Sequence, residues 1–264
     1  MNELFSMFEY AFMRRALCAG IIVALCAALL GVSLVLRRYA MIGDGLSHVA
    51  FGAVSVATAL HLSPIWVAIP VVMLAAVLLL AAGEGDGKRG DASVAMLSTA
   101  SLAIGVLAMA GKGTDVYSYM FGSILAVRSE EMWLCLLLGA GVLAFFLLFR
   151  DRILSLTFDE GFARATGQRI GGFRLALALF TAVTVVLGMR LMGTLLISAL
   201  VLFPAMSAMR ICRRFVGVLI TAGIISVLCF TAGLCVSYML DLAPGATVVA
   251  ANLVVYAVLS LVRR

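Results

Sequence analysis

Charged side chains are scarce in this sequence: Asp, Glu, Lys and Arg make up 12% of its 264 residues, whereas soluble domains carry roughly 25%. Proline is also rare, with four residues, while 64% of the chain is apolar. This composition excludes a soluble globular protein, because water cannot solvate such a surface. The few polar breaks leave apolar stretches near the roughly 20 residues that a spanning helix needs. We therefore expect one all-α, polytopic membrane domain over residues 1–264, with no soluble domain attached.

Four further features that would indicate other functions are missing. The six cysteines form no C-x-x-C pair, so we expect small buried hydrophobes rather than a redox or zinc site. There is no G-x-x-x-x-G-K-[ST] phosphate loop, so the chain is not expected to hydrolyse ATP. The net charge of +6 comes from basic residues at the ends of apolar segments and not from a continuous patch, which argues against a nucleic-acid partner. The first apolar segment has no small-residue cleavage site and is expected to stay as an anchor.

Nine apolar runs predict a transmembrane helical bundle of eight or nine spans. They lie near residues 16–36, 39–60, 64–82, 92–110, 132–149, 173–189, 191–209, 215–240 and 244–262. The sixth and seventh runs meet around Arg190 with almost no loop. They are therefore either two spans or one broken, re-entrant pair, in which case the count is eight.

The basic residues predict the orientation of the bundle. Nine alternating spans divide the loops into two sets, and one set holds 14 of the 19 Lys and Arg residues. The other set holds Arg14, Arg15, Lys112, Arg128 and Arg190. Because cytoplasmic loops retain Lys and Arg, the N-terminus is predicted outside and the C-terminus inside, with Arg14 and Arg15 against the rule.

A carboxylate and an imidazole stand one helical turn apart near the start of the second span, in Gly43-Asp44-Gly45-Leu46-Ser47-His48. Residues at i and i+4 share a helix face, and ionisable groups at membrane depth usually line an ion or proton path. An oxygen and a nitrogen donor suit manganese, iron or zinc without choosing between them. The alternative is an Asp–His hydrogen bond that only joins two helices. Gly43 and Gly45 would loosen the helix or let a neighbouring backbone approach.

Two other segments contain weaker candidates for the pathway. The outer loop over residues 114–122 combines oxygen donors with interfacial aromatics, which by itself is typical of an aromatic belt. From this loop we keep Asp115, Ser118 and Tyr119 as weak pathway candidates. Pro204 interrupts the seventh run and should kink its helix, either as a plain bend or as a half-helix opening near a path.

The longest cytoplasmic segment, residues 156–167, has the pattern of a short helix. Thr157 or Asp159 can cap its start, acids follow in the first turn, and Gly167 can end it. Phe158 and Phe162, at i and i+4, would share one aromatic face. Such a helix either lies on the membrane surface or docks into a groove of a partner.

Several motifs occur in an order that resembles the ABC-3 family of permeases, the membrane subunits of bacterial manganese, zinc and iron importers. The most specific is Gly31 to Arg38 followed by Ile42 to His48, and the resemblance covers nearly the whole chain. The other motifs are Phe12 to Leu17, Tyr119 to Leu125, Phe158 to Gly167, Gly193 to Pro204 and Pro244 to Thr247.

The resemblance implies roles for particular residues. Asp44 and His48 would be metal-pathway residues, with Ser47 of the same motif a weaker candidate. Residues 157–167 would be the coupling helix that receives motion from an ATPase. Its candidate contacts are Phe158, Asp159, Glu160, Phe162, Arg164 and Gly167.

The resemblance also implies an assembly in the bacterial plasma (inner) membrane. Two permeases, identical or paralogous, would work with cytoplasmic ABC ATPase subunits that bind ATP and with a metal-binding protein outside. The divalent metal would be the transported substrate, and the chain would hold no permanent cofactor.

Two other functions remain as alternatives. A permease for iron chelates or cobalamin is usually longer, with ten spans, and needs no intramembrane Asp–His pair. A proton-coupled secondary carrier or a membrane-embedded enzyme would use the same pair for acid–base chemistry. A carrier would normally show repeated halves, and the sequence has no evident internal repeat.

Overall fold

The computed structural model describes residues 11–37, 39–82, 87–110, 129–158 and 170–262, and within these ranges every regular element is an α-helix. In chain order the helices are α1 (Ala11–Leu36), α2 (Ile42–Ala59), α3 (Pro64–Ala82), α4 (Gly87–Met109), α5 (Ser129–Leu148), α6 (Arg150–Phe158), α7 (Ile170–Met192), α8 (Thr194–Ile211), α9 (Phe215–Leu240) and α10 (Pro244–Val262). This all-helical architecture confirms the predicted fold class. It follows from the solvent, because lipid offers no partner for backbone N–H and C=O groups.

Helix α1 is the central helix of the bundle. Within its apolar stretch 72% of residues are buried, against 17% in α4 and α10. Glycines on α1 bring its neighbours close: a Cβ at Gly20 would overlap the ring of Phe230 on α9, and one at Gly31 would lie 2.0 Å from the backbone oxygen of Val201 on α8. Peripheral helices therefore pack around α1 and leave their own outer faces to lipid.

Helices α2 and α4 pack closely and run in the same direction. A Cβ at Gly45 would lie 2.5 Å from Val94, and one at Gly52 would lie 2.6 Å from the backbone oxygen of Ser101. Seven residues separate the two contacts on each helix, which fixes the parallel orientation. The neighbour of Gly45 is a side chain and not the backbone expected there, whereas Gly52 does admit the backbone of α4.

Helices α7 and α8 form an antiparallel hairpin with Gly193 at the turn. Gly193 has φ 88° and ψ 164°, a conformation that residues with a Cβ rarely adopt. Gly188 and Ile197, on opposite sides of the turn, are in contact. Met192 lies beside Gly20 and Val201 beside Gly31, so α8 runs parallel to α1 and α7 returns against it. The sixth and seventh runs are therefore two helices and not a single broken one.

Eight of the helices in the described ranges are long and apolar enough to cross a membrane. Helix α2 is not among them, although it has 18 residues, because Asp44, Ser47 and His48 lower its hydropathy. The predicted ends are wrong by a few residues at several places, most clearly at the α7–α8 turn, which lies at Gly193 and not near Arg190. The short helix α6, directly after α5, was not expected.

Candidate metal site

The two ionisable residues of α2 lie where the helix begins. Asp44 is in the first turn of α2, where the positive end of the helix dipole favours a carboxylate. Ser47 is fully buried, whereas the side chain of Asp44 is 45% exposed and that of His48 is 24% exposed. The pair is therefore anchored on one face of a packed helix and is still accessible to an ion.

A hydroxyl from α8 completes the surroundings of Asp44. Ser198 Oγ lies 2.9 Å from Asp44 Oδ1 and donates a hydrogen bond to it. Ser47 Oγ donates to the backbone oxygen of Asp44 at 2.7 Å and lies 3.4 Å from Ser198 Oγ. Gly43 allows this approach, since its Cβ position is 3.3 Å from the Val201 side chain on α8. Ser198 on α8 thus holds the carboxylate through one of its two oxygens.

The second carboxylate oxygen faces the imidazole. Asp44 Oδ2 and His48 Nε2 are 3.7 Å apart, which is too long for a hydrogen bond. Two atoms that bind the same metal ion at about 2.1 Å lie this far apart when the ligand–metal–ligand angle is about 124°, which is wider than the tetrahedral angle. The distance is that of an ion pair between residues i and i+4, and it also allows both atoms to bind one divalent ion.

The other ring nitrogen of His48 is buried and has no hydrogen-bond partner among the described residues. Buried polar atoms without partners are rare, and each needs an explanation. A histidine whose only role was to join two helices by hydrogen bonds would be expected to use this atom. A metal-ligating histidine also normally donates from its second ring nitrogen, so this atom does not distinguish a metal ligand from a purely structural histidine.

Ser198 was not among the residues selected from the sequence. It stands in an apolar stretch, Ile197-Ser198-Ala199, and a serine there normally bonds the carbonyl four residues earlier. Its Oγ does lie 3.1 Å from the Thr194 oxygen, so local pattern gives no sign of the second interaction. Only the packing of α8 on α2 reveals it.

A buried ion pair at the C-terminal end of α7 was also missed. Arg190 donates to Glu131 Oε1 at 2.8 Å, and Glu131 is only 4% exposed. Glu131 is in the first turn of α5 and Arg190 is in the last turn of α7. Each charge therefore also interacts favourably with the dipole of its own helix. A cavity of about 760 Å³ adjoins the pair, with Trp66 and Trp133 in its lining. Arg190 is therefore a packing residue of the bundle and not a loop residue.

Several predicted site residues lie outside the described ranges. These are Asp115, Ser118 and Tyr119 of the outer loop and Asp159, Glu160, Phe162, Arg164 and Gly167 of the coupling segment. Their roles stay predictions. The described residues contain no cluster of three or more His, Cys, Asp and Glu side chains that could hold a metal. Within those ranges, the structure brings the donor atoms of Asp44 and His48 together, and their role as metal-pathway residues stays a prediction.

The two remaining candidates are within described helices. Phe158 ends α6, is largely exposed and packs edge-to-face on Phe215 with ring centroids 6.3 Å apart. Thr157 is inside α6, where its hydroxyl donates to the Ile153 oxygen at 2.6 Å. It therefore does not cap the short helix predicted in residues 156–167, and Asp159 is the candidate cap that is left. Pro204 is buried in the interior of α8. It offers no N–H to the Leu200 carbonyl, and the kink expected there stays a prediction.

Comparison with known proteins gives consistent matches over the whole described bundle. The model of the ABC 3 transport family matches residues 9–263. A curated relative, the "probable metal transport system membrane protein" of Treponema pallidum, is 32% identical over 90% of this chain and 91% of its own length. The manganese transport system membrane protein MntC of Halalkalibacterium halodurans is 28% identical over 91% of this chain and 84% of its own length.

A solved structure has the same fold. PsaBC from Streptococcus pneumoniae, determined in complex with a Fab, superposes with a TM-score of 0.86 at 25% identity. The match covers 98% of this chain and 94% of that one. The arrangement of helices that brings Ser198 to Asp44 is thus the arrangement of a known permease fold.

Proposed function

This chain belongs to the ABC 3 transport family, and we propose that it forms the membrane pathway of an ATP-driven importer for a divalent transition metal, with manganese the first candidate. It is a multi-pass protein of the bacterial plasma membrane and a metal permease of the ABC type. Iron and zinc remain candidates, because a carboxylate and an imidazole bind all three. Manganese comes first because relatives such as MntC of Halalkalibacterium halodurans are named for it.

The observation that carries the proposal is the 3.7 Å separation of Asp44 Oδ2 and His48 Nε2. It puts one oxygen and one nitrogen donor at a distance that a divalent ion spans and that a proton in a hydrogen bond does not. Both donors come from one turn of a rigid helix, so they move together.

The rest of the importer comes from partners in this proposal. ATP is bound and hydrolysed by separate cytoplasmic ABC subunits, and a metal-binding protein delivers the ion from outside. A second permease copy, identical or paralogous, adds further ligands to the incomplete Asp44–His48 pair. The contact with the ATPase lies in the segment from Phe158 to Gly167, beyond the end of α6.

The test is metal uptake by cells or vesicles that contain the complete transporter. Asp44→Ala and His48→Ala should each reduce radioactive manganese uptake to background while the protein still inserts at normal levels. Ser55→Ala is the matched control, because Ser55 is buried on the same helix and has no hydrogen-bond partner for its hydroxyl among the described residues. Normal uptake by both site variants would refute the pathway assignment.

The same preparation tests the two alternatives. A proton-coupled carrier would transport without ATP and would stop when the proton gradient is collapsed, whereas an ABC importer requires ATP and tolerates an uncoupler. A chelate permease would transport iron–siderophore complexes and ignore the free ion. Competition of manganese uptake by iron and zinc then ranks the three metals.

A further inference from the structure

We propose that Ser198 is a positioning residue of the metal site: it holds the Asp44 carboxylate by one oxygen so that the other is presented to the ion beside His48. This inference rests on the proposed function of Asp44 and His48. It adds a residue from a second helix, α8, to a pair of donors that both lie on α2.

The two oxygens of Asp44 have separate tasks in this arrangement. Ser198 Oγ is 2.9 Å from Oδ1, a normal distance for a hydroxyl donating to a carboxylate. Oδ2 is the oxygen that faces His48 Nε2, at 3.7 Å. A carboxylate can rotate about its terminal bond, and a fixed donor on Oδ1 removes most of that freedom. Oδ2 is therefore already held in position to bind a metal ion, and both of its lone pairs remain available.

The hydrogen of Ser198 has a choice of two acceptors. The Thr194 oxygen lies 3.1 Å from Oγ, while Asp44 Oδ1 lies at 2.9 Å. The charged acceptor makes the stronger hydrogen bond, so the hydroxyl donates to Asp44 as long as the two helices stay in contact. When they separate, Thr194 replaces Asp44 as the acceptor and Ser198 is still satisfied.

This alternative makes the metal site sensitive to the spacing of α2 and α8. Asp44 and His48 are both on α2, so their relative position depends on α8 only through Ser198. Ser198 is on α8, in the arm of the hairpin that follows Gly193. Separation of α2 from α8 therefore releases the carboxylate and weakens the site, which would favour release of the ion when the pathway opens.

The magnitude follows from other metal sites. Removal of a residue that hydrogen-bonds a metal ligand typically lowers metal affinity or activity about 10–100-fold. Ser198→Ala should therefore weaken the site to that extent without abolishing it, whereas Asp44→Ala removes a ligand outright. Ser198→Thr retains a hydroxyl at the same position and should restore most of the lost affinity, since the metal ligand again has its hydrogen-bond donor.

The experiment measures equilibrium binding of radioactive manganese to the complete transporter in lipid nanodiscs, together with thermal unfolding of each variant. Asp44→Ala defines the background. Ser207→Ala is the matched control, since Ser207 is a buried serine on the same helix whose hydroxyl has no partner among the described residues. We expect weaker binding for Ser198→Ala alone, recovery in Ser198→Thr, and an unchanged Ser207→Ala.

Each other outcome has a definite meaning. If Ser198→Ala binds manganese as tightly as the original protein while Asp44→Ala does not bind, the positioning role is refuted and the proposed function stands. If Ser198→Thr fails to recover binding, or if the loss in Ser198→Ala is matched by a lower unfolding temperature, the role is structural and the proposal fails. If Asp44→Ala also binds normally, the proposed function itself is wrong.

Discussion

Glu131 and Arg190 form a 2.8 Å ion pair that ties the start of α5 to the end of α7, three residues before the Gly193 turn. The same hairpin carries Ser198 on its other arm, against Asp44. The outer contact with α5 and the inner contact with α2 therefore fix the two arms of one hairpin. Neither contact follows from the sequence, because their partners are far apart in the chain.

Removal of one partner of the ion pair should destabilise the bundle. Glu131→Ala leaves the Arg190 guanidinium, which is 25% exposed, without its carboxylate, and the loss of such a partner costs roughly 1–3 kcal/mol. The measurement is the unfolding temperature of the purified protein in detergent. Glu130→Ala is the control, since Glu130 is the exposed neighbour and surface changes usually stay within about 0.5 kcal/mol. Equal effects of the two variants would contradict the structural role of the pair.

The α2–α4 interface should not tolerate a methyl group at position 52. A Cβ there would lie 2.6 Å from the backbone oxygen of Ser101, so the helices must move apart, at a cost of roughly 1–3 kcal/mol for overpacking. Gly52→Ala should therefore lower the unfolding temperature even though alanine is the better helix former. Gly171→Ala is the control, because a Cβ at Gly171 meets nothing within 4 Å. A stabilised Gly52→Ala variant would contradict the close packing.

Cysteine labelling should confirm the orientation predicted from the basic residues. Arg213 and Ala243 are exposed at opposite ends of α9. In a background whose six native cysteines are replaced, Arg213→Cys should react with an impermeant thiol reagent only from the cytoplasmic side, and Ala243→Cys only from outside. The reverse pattern would overturn the orientation.

The coupling segment should be needed for contact with the ATPase. Replacement of both Phe158 and Phe162 by Ala should leave insertion intact, detach the ATPase on purification and remove hydrolysis stimulated by the loaded binding protein. Phe215→Ala is the control, because it removes the ring that packs on Phe158 without changing the segment itself. If the ATPase stays bound to the double variant and its hydrolysis is still stimulated, the segment is a surface helix and the coupling contact lies elsewhere.

The sequence by itself determined the class of structure and indicated the Asp44–His48 pair of the candidate site. Long apolar runs with few charges leave only helices in a bilayer, so α1 to α5 and α7 to α10 follow from composition and length. Asp44 and His48 were evident because they are four residues apart in an apolar stretch, where local helical periodicity already puts them on one face. Both conclusions need only local information.

Only the tertiary structure decided which helices meet. The approach of Ser198 to Asp44, the burial of Glu131 by Arg190 and the parallel packing of α2 on α4 all join segments distant in sequence. In a membrane, helices do not pair by hydrophobicity, since lipid is as apolar as their side chains, and close packing of small residues decides instead. Glycines such as Gly31, Gly43 and Gly52 carry that information, but each becomes interpretable only when the helix opposite it is known.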